Sequence, residues 1–316
     1  MLYSIFLLAV GLIVLVSGGE FLVRGASSIA LRLRISPLVV GLTIVAFGTS
    51  APELFISVQS ALSGSPDLAM GNVVGSNICN LALVLGFTAV IFPVPVQKDS
   101  LSIDWPMTIG SSILLFLLVQ DYLISPVEGA VFVLILAVYT TLIIVKSRRE
   151  NHKGKEILEE ADLAEQPSKN IWLDVLFIVL GTLGLAFGSD WFVTGAKSLA
   201  LSFGVSERVI GVTVLALGTS LPELVTASVA AFRKATDIAI GNLMGSNIFN
   251  ILSILGITSI IQPIAVNQQI VSQDMLWMLA ITVLIFPMML IKRKVSRIEG
   301  GILLAVYGYY IYLVVQ

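Results

Sequence analysis

A chain of 316 residues that is 57% hydrophobic and only 12% charged, with a mean hydropathy of +0.98, lies outside the range of soluble domains and reads as an integral membrane protein. Its net charge of -2 says little, because in a membrane protein the loops that hold the positive charges matter more than their total. A single cysteine, Cys79, excludes a disulfide framework and any multi-cysteine metal site, and the lone His152 sits in a charged loop where it is simply solvated.

Apolar runs of spanning length fall near 2–30, 37–63, 68–94, 103–120, 127–146, 171–200, 208–232, 238–262, 273–291 and 299–315. The first could pass for a signal peptide, but no basic residue precedes it and a matching segment recurs in mid-chain, so it is expected to be a mature helix. The fold expected is an all-α integral membrane protein of ten transmembrane helices in two groups of five. Between the groups lies the strongly polar segment Lys146 to Asn170, whose composition suits a solvated, partly helical linker. Its acidic part, Glu156 to Glu165, is too short for a regulatory calcium domain and lacks the spacing of a calcium loop.

Set against itself at an offset of 170, the chain repeats. Gly41, Thr43, Ala46, Gly48, Thr49, Ser50, Pro52 and Glu53 return as Gly211, Thr213, Ala216, Gly218, Thr219, Ser220, Pro222 and Glu223. The block GNVVGSNICN at 71–80 returns as GNLMGSNIFN at 241–250, and GGEFLVRGASSIA at 18–30 matches GSDWFVTGAKSLA at 188–200 more weakly. Three units follow: a first repeat over 1–146, a linker over 147–170 and a second repeat over 171–316. Because five is odd, consecutive copies must enter the membrane from opposite sides, giving two inverted repeats. With both termini outside and the linker cytoplasmic, sixteen of the eighteen lysines and arginines fall on the inner side, leaving Lys197 and Arg208 outside.

A carboxylate at the bilayer centre costs about 2.5 to 3.5 kcal/mol even on the lenient insertion scale, so Glu53 and Glu223 are expected to face a polar, protein-lined cavity. No basic residue in their helices could neutralise them. Pro52 and Pro222 should deprive the carbonyls of Gly48 and Gly218 of their helical partners, leaving them to turn inward toward a cation. Spacings of three and four set Ala46, Thr49 and Glu53 on one helix face, and likewise pair Ser76 with Asn80 and Ser246 with Asn250. The donor set is all oxygen, which suits hard cations such as Ca2+ and Na+ and not zinc or copper. Thr, Ser, Asn and Gly can also serve only to pack helices, and that reading is preferred for Gly71, Gly75, Gly86 and their repeats.

At these residues the chain resembles the cation/calcium antiporter superfamily, specifically the prokaryotic sodium/calcium exchangers, through GTSAPE with GNVVGSNICN and GTSLPE with GNLMGSNIFN. The resemblance spans nearly the whole chain. It implies that Glu53 and Glu223 are the central Ca2+ ligands and that Thr49, Ser50, Thr219 and Ser220 add hydroxyl or carbonyl oxygens. Ala46 and Ala216 would give main-chain carbonyls to outlying Na+ sites, with Ser76, Asn80, Ser246 and Asn250 completing the cluster. It further implies alternating access by movement of the first and sixth helices, Na+ and Ca2+ as competing substrates, no enzyme chemistry, no cofactor and no obligate protein partner. Potassium-dependent relatives carry aspartate where this chain has Asn250, so exchange here is expected to be independent of K+. A Ca2+/H+ antiporter of the same superfamily, or a passive cation channel, are the alternatives that the residues leave open.

Other acids are given humbler roles. Glu20 and Asp190 read equally as ion-access groups or as structural acceptors, and Asp67 and Asp237 as helix N-caps. Asp104, Asp274, Glu128 and Glu299 read as acids favoured by helix dipoles. Cys79 aligns with Phe249, which argues against a redox role.

Overall fold

Helix follows helix from one end of the chain to the other in the computed structural model, which describes residues 1–151, 170–204 and 216–315. His152, the acidic run Glu156 to Glu165, Arg208, Gly211 and Thr213 lie outside the described residues. The first group comprises α1 (Leu2–Leu33), α2 (Pro37–Leu62), α3 (Pro66–Ile91), α4 (Ser100–Asp121) and α5 (Pro126–Asn151). The second comprises α6 (Ile171–Ser202), α7 (Ala216–Thr219 and Leu221–Phe232), α8 (Thr236–Ile261), α9 (Ile270–Leu290) and α10 (Arg297–Val315). Among the described residues, eight of these are long and apolar enough to cross a membrane. Helix α5 runs on to Asn151, five residues into the polar segment where the apolar run had ended.

The starts follow from local chemistry. Ser36 accepts the Val39 N–H at 3.3 Å ahead of Pro37, and Pro66 and Pro126 open α3 and α5, where a missing N–H costs nothing. Glu128 and Glu299 do stand in first turns, each as the far arm of a capping box: Glu128 accepts the Ser125 N–H and Glu299 that of Ser296, both at 2.7 Å. Asp67 and Asp237 are not N-caps. They lie inside the first turns that follow Ser65 and Ala235, and the side-chain amide of Gln97 donates to Asp237.

Helix ends repeat as the sequence does. Arg34 and Gly204, and Gly64 and Lys234, stand 170 residues apart and all take positive φ, at 54°, 78°, 83° and 59°. Two short antiparallel ribbons join the halves: Val94–Pro95 with Lys294–Val295, and Leu123–Ile124 with Ile264–Ala265. They are themselves related by the repeat, because 94 answers to 264 and 124 to 294.

Helices α1 and α6 lie antiparallel along their length. Gly11, Gly18 and Gly25 on one, and Gly181, Gly188 and Gly195 on the other, recur every seven residues, two helical turns, so they form one stripe. A Cβ at any of the six would come within 2.5 to 2.8 Å of the partner helix's backbone. Close backbone approach replaces hydrophobic burial as the packing force where lipid is the solvent. The Arg32 guanidinium closes one end of the pair on buried Asp174 at 3.0 Å, and a Ser4–Ser198 hydroxyl contact of 3.0 Å closes the other.

Candidate cation-binding site

The core of the bundle is formed by α2, α3, α7 and α8, and none of them is regular through its middle. In α2 a π-turn spans Gly41–Val45, after which the helix runs unbroken from Ala46 to Leu62 with Pro52 inside it. In α7 the chain instead breaks at Ser220, immediately before the Leu221–Phe232 segment that carries Pro222 and Glu223. The expected break at Pro52 is therefore absent in the first half, where the π-turn takes up the irregularity. Helices α3 and α8 carry π-turns at Cys79–Val84 and Asn250–Leu255, so Asn80 and Asn250 sit where the backbone ladder changes register.

These four helices interlock across the repeat. The Thr49 hydroxyl of α2 lies 3.3 Å from the Ser246 hydroxyl of α8, while the Thr219 hydroxyl of α7 lies 3.5 Å from that of Ser76 on α3. Thr49 also reaches the Ala46 carbonyl at 3.2 Å and Asn242 Oδ1 at 3.1 Å. Ser50 donates to Glu223 Oε1 at 3.4 Å. Tight crossing makes this possible: a Cβ at Gly41 would lie 2.7 Å from the Ile238 carbonyl, and one at Gly241 would lie 2.5 Å from that of Leu38. The packing role expected for the glycines holds for Gly86, Gly241, Gly245 and Gly256. For Gly71 and Gly75 a Cβ would meet, among the described residues, one atom at 3.9 Å and nothing within 4 Å, respectively, and the repeat counterparts of the residues that pack on Gly241 and Gly245 lie largely outside the described residues.

Glu53 and Glu223 are buried to 1% and 0% exposure, and the ion pairs found among the described residues all lie elsewhere. Among the described residues, both Glu53 oxygens lack a hydrogen-bond partner, as do Glu223 Oε2, Ser220 Oγ, Asn80 Oδ1 and Asn250 Oδ1. Each such atom costs about 1–3 kcal/mol if nothing meets it, and carboxylates cost more. Six oxygens without protein donors, two of them on one carboxylate, match the needs of a hard cation that takes six to eight oxygens. Of the twelve residues singled out from sequence, Ala46, Thr49, Ser50, Glu53, Ser76, Asn80, Ser220, Glu223, Ser246 and Asn250 are buried, Thr219 is half-buried, and Ala216 opens the first segment of α7. Among the described residues no group of three or more His, Cys, Asp and Glu could hold a metal ion, and the polar groups buried near the two carboxylates are neutral.

One freed carbonyl has a partner on another helix. Gly218, four residues before Pro222, accepts a hydrogen bond from the Ser189 hydroxyl of α6 at 2.6 Å. Position 19, the counterpart of 189, is glycine, so the repeat does not supply the equivalent hydroxyl for Gly48.

Sequence reasoning passed over further polar groups. Asn77 donates to the Asn247 main-chain carbonyl at 3.3 Å and accepts from Asn250 Nδ2 at 3.0 Å. Asn242 receives Thr49, and Asn72 donates to Ser57 at 3.1 Å. All recur at the offset of 170 within the two blocks already recognised, which was the available signal. Asp104 and Asp274 are not mere dipole partners, since the hydroxyls of Tyr139 and Tyr310 donate to them at 2.9 Å each. Glu20 is a structural acceptor, paired with Arg233 at the end of α7, whereas Asp190 is exposed. Cys79 is a buried free thiol.

The sodium/calcium exchanger protein family matches this chain twice, over residues 3–145 and 173–316. The chain is 37% identical over 316 residues to CaxA of Alkalimonas amylolytica, with 99% of both chains covered. It is 35% identical to the inner membrane protein YrbG of Escherichia coli (strain K12), covering 99% of this chain and 96% of that one. Among solved structures, the sodium-calcium exchanger NCX_Mj, soaked without Na+ and Ca2+, superimposes with a TM-score of 0.83 at 28% identity and covers 99% of each chain. With the fold, the duplicated motifs and both halves matched, the chain belongs to the sodium/calcium exchanger family and is a multi-pass membrane transporter of cations, not an enzyme.

Proposed function

We propose that the chain is a Na+/Ca2+ antiporter that works by alternating access, without K+, through one site shared by its two repeats. Glu53 and Glu223 are the central Ca2+ ligands. Thr49, Ser50, Thr219, Ser220, Ser76, Asn80, Ser246 and Asn250 supply neutral oxygens, and the carbonyls of Ala46 and Ala216 serve outlying Na+ sites. The observation that carries this reading is the pair of buried carboxylates, one from each half, whose unpartnered oxygens have no basic side chain to neutralise them among the described residues. A +2 ion neutralises the pair, and so do two Na+, which gives competition between the cations a simple electrostatic basis.

The repeats span 1–146 and 171–316 with the 147–170 linker in the cytoplasm and both termini outside. Two ribbons joining opposite halves support an inverted arrangement, because 94 and 294 must share one membrane face and 124 and 264 the other. An amide at 250 in place of a carboxylate leaves no third negative charge to hold K+. The relationship to an inner membrane protein supports residence in the cell membrane.

The test is 45Ca2+ uptake into proteoliposomes loaded with Na+, compared with vesicles carrying only a proton gradient and with added K+. Uptake driven by internal Na+ and unchanged by K+ is expected, and it is expected to vanish in Glu53→Ala and Glu223→Ala. Uptake driven by the proton gradient alone would move the chain to Ca2+/H+ exchange, and a steep rise with K+ would overturn K+ independence.

A further inference from the structure

A carboxylate offers a cation two equivalent oxygens, but an amide offers one oxygen and one repelling NH2 group. An asparagine in a cation site must therefore be held the right way round. Asn250 is fully buried; its Nδ2 donates to Asn77 Oδ1 at 3.0 Å and its own Oδ1 has no protein partner. The orientation is dictated from outside the pair. Asn77 Nδ2 donates at 3.3 Å to the main-chain carbonyl of Asn247, which can only accept, so Asn77 must present its oxygen to Asn250. Asn250 must then answer with its NH2, and its oxygen is left on the face it shares with Ser246, four residues earlier, which meets Thr49.

The repeat does not reproduce this arrangement. Asn247, the counterpart of Asn77, turns its NH2 back to Leu243 of its own helix at 2.7 Å, and its Oδ1 has no partner. Asn80, the counterpart of Asn250, has neither amide atom hydrogen-bonded among the described residues. Hydrogen bonds thus fix the orientation of one arm of the site, and none found among the described residues fixes the other.

We propose that Asn77 is a positioning residue that holds the Asn250 amide oxygen-first toward the transported cation and so sets the Ca2+ affinity of this half of the site. The proposal rests on the site reading above. Its distinctive consequence is conditional: Asn77 matters only while residue 250 is an amide, because a carboxylate there needs no orienting.

The experiment measures 45Ca2+ uptake by Na+-loaded proteoliposomes of the full chain against external Ca2+, for Asn77→Leu in the native and the Asn250→Asp backgrounds. In the native background the half-saturating Ca2+ concentration should rise about tenfold or more, the usual effect of losing a ligand's outer partner, with a smaller change in maximal rate. In the Asn250→Asp background the same substitution should leave it unchanged. Should Asn77→Leu fail to give a monodisperse protein, Asn77→Ser, too short to reach Asn250, is expected to show the same conditional rise. An equal rise in both backgrounds, or no rise in the native one, would overturn the proposal. Failure of the site reading is seen separately, as Ca2+ uptake at the wild-type rate in Glu53→Ala and Glu223→Ala vesicles.

Discussion

Replacing Glu53 by glutamine keeps the shape of a buried side chain and removes one unit of charge. On the proposed assignment a Ca2+ ion at the site faces two carboxylates and is neutralised; in Glu53→Gln one positive charge would be left over in a region that is almost completely buried, with Glu53 at 1% and Glu223 at 0% exposure. Removing one partner from a buried ion pair costs about 3–5 kcal/mol. At about 1.4 kcal/mol per factor of ten, Ca2+ affinity should fall between roughly a hundredfold and a few thousandfold. Of the two Na+ ions that match the pair, one is still matched by Glu223 on its own, so binding of the first Na+ should weaken less than binding of Ca2+. Cation-dependent thermal stabilisation of the purified protein, titrated separately with Ca2+ and Na+, reads both numbers without requiring turnover. Equal losses for the two ions, or a Ca2+ loss under tenfold, would refute the assignment of Glu53 as a charge-compensating ligand.

Three further outcomes follow from the packing. Gly188→Leu drives a side chain into the α1 backbone, where even a Cβ would meet Leu15 N at 2.6 Å, so exchange should be lost; Gly301→Ala, with nothing within 4 Å among the described residues, should leave transport rates unaltered. Ser189→Ala leaves the Gly218 carbonyl without its 2.6 Å donor at a cost of about 1–3 kcal/mol, and should alter exchange rate more than it alters the melting temperature of the ion-free protein. Tyr139→Phe strands the buried Asp104 carboxylate and should destabilise by about 1.5–3 kcal/mol in thermal unfolding, while leaving the half-saturating Ca2+ concentration in uptake assays unchanged.

What the sequence made legible was whatever contrasts with an apolar background. Glu53 and Glu223 stand out because a charge in a spanning helix is costly, and a second copy at a fixed offset turns the anomaly into a pattern. Helix counts and the inverted repeat came from the same contrast. What stayed hidden depends on contacts between distant segments. The stops at Arg34 and Lys234 carry none of the glycine signal found at their counterparts Gly204 and Gly64. The two ribbons are too short for any periodicity to reveal. Asn77 and Asn247 were passed over because they sit next to the Ser76 and Ser246 positions and so point off the assumed site face. That step treats a helix as having one important side. In α8 every residue from Ile238 to Ile248 is buried, so a position turned away from one face still meets protein. The fate of the Gly218 carbonyl was likewise invisible, since the hydroxyl that takes it lies 29 residues earlier, on another helix.

The central claim is coupling: one site, shared by two halves, that trades one cation for the other. The most direct test follows 22Na+ and 45Ca2+ in the same proteoliposomes, measuring whether external Ca2+ accelerates Na+ efflux in step with its own entry. The expected result is strict mutual dependence, with neither flux proceeding alone and both abolished in Glu223→Ala. Sodium efflux that ignores external Ca2+, or Ca2+ entry that proceeds at full rate into Na+-free vesicles, would contradict it.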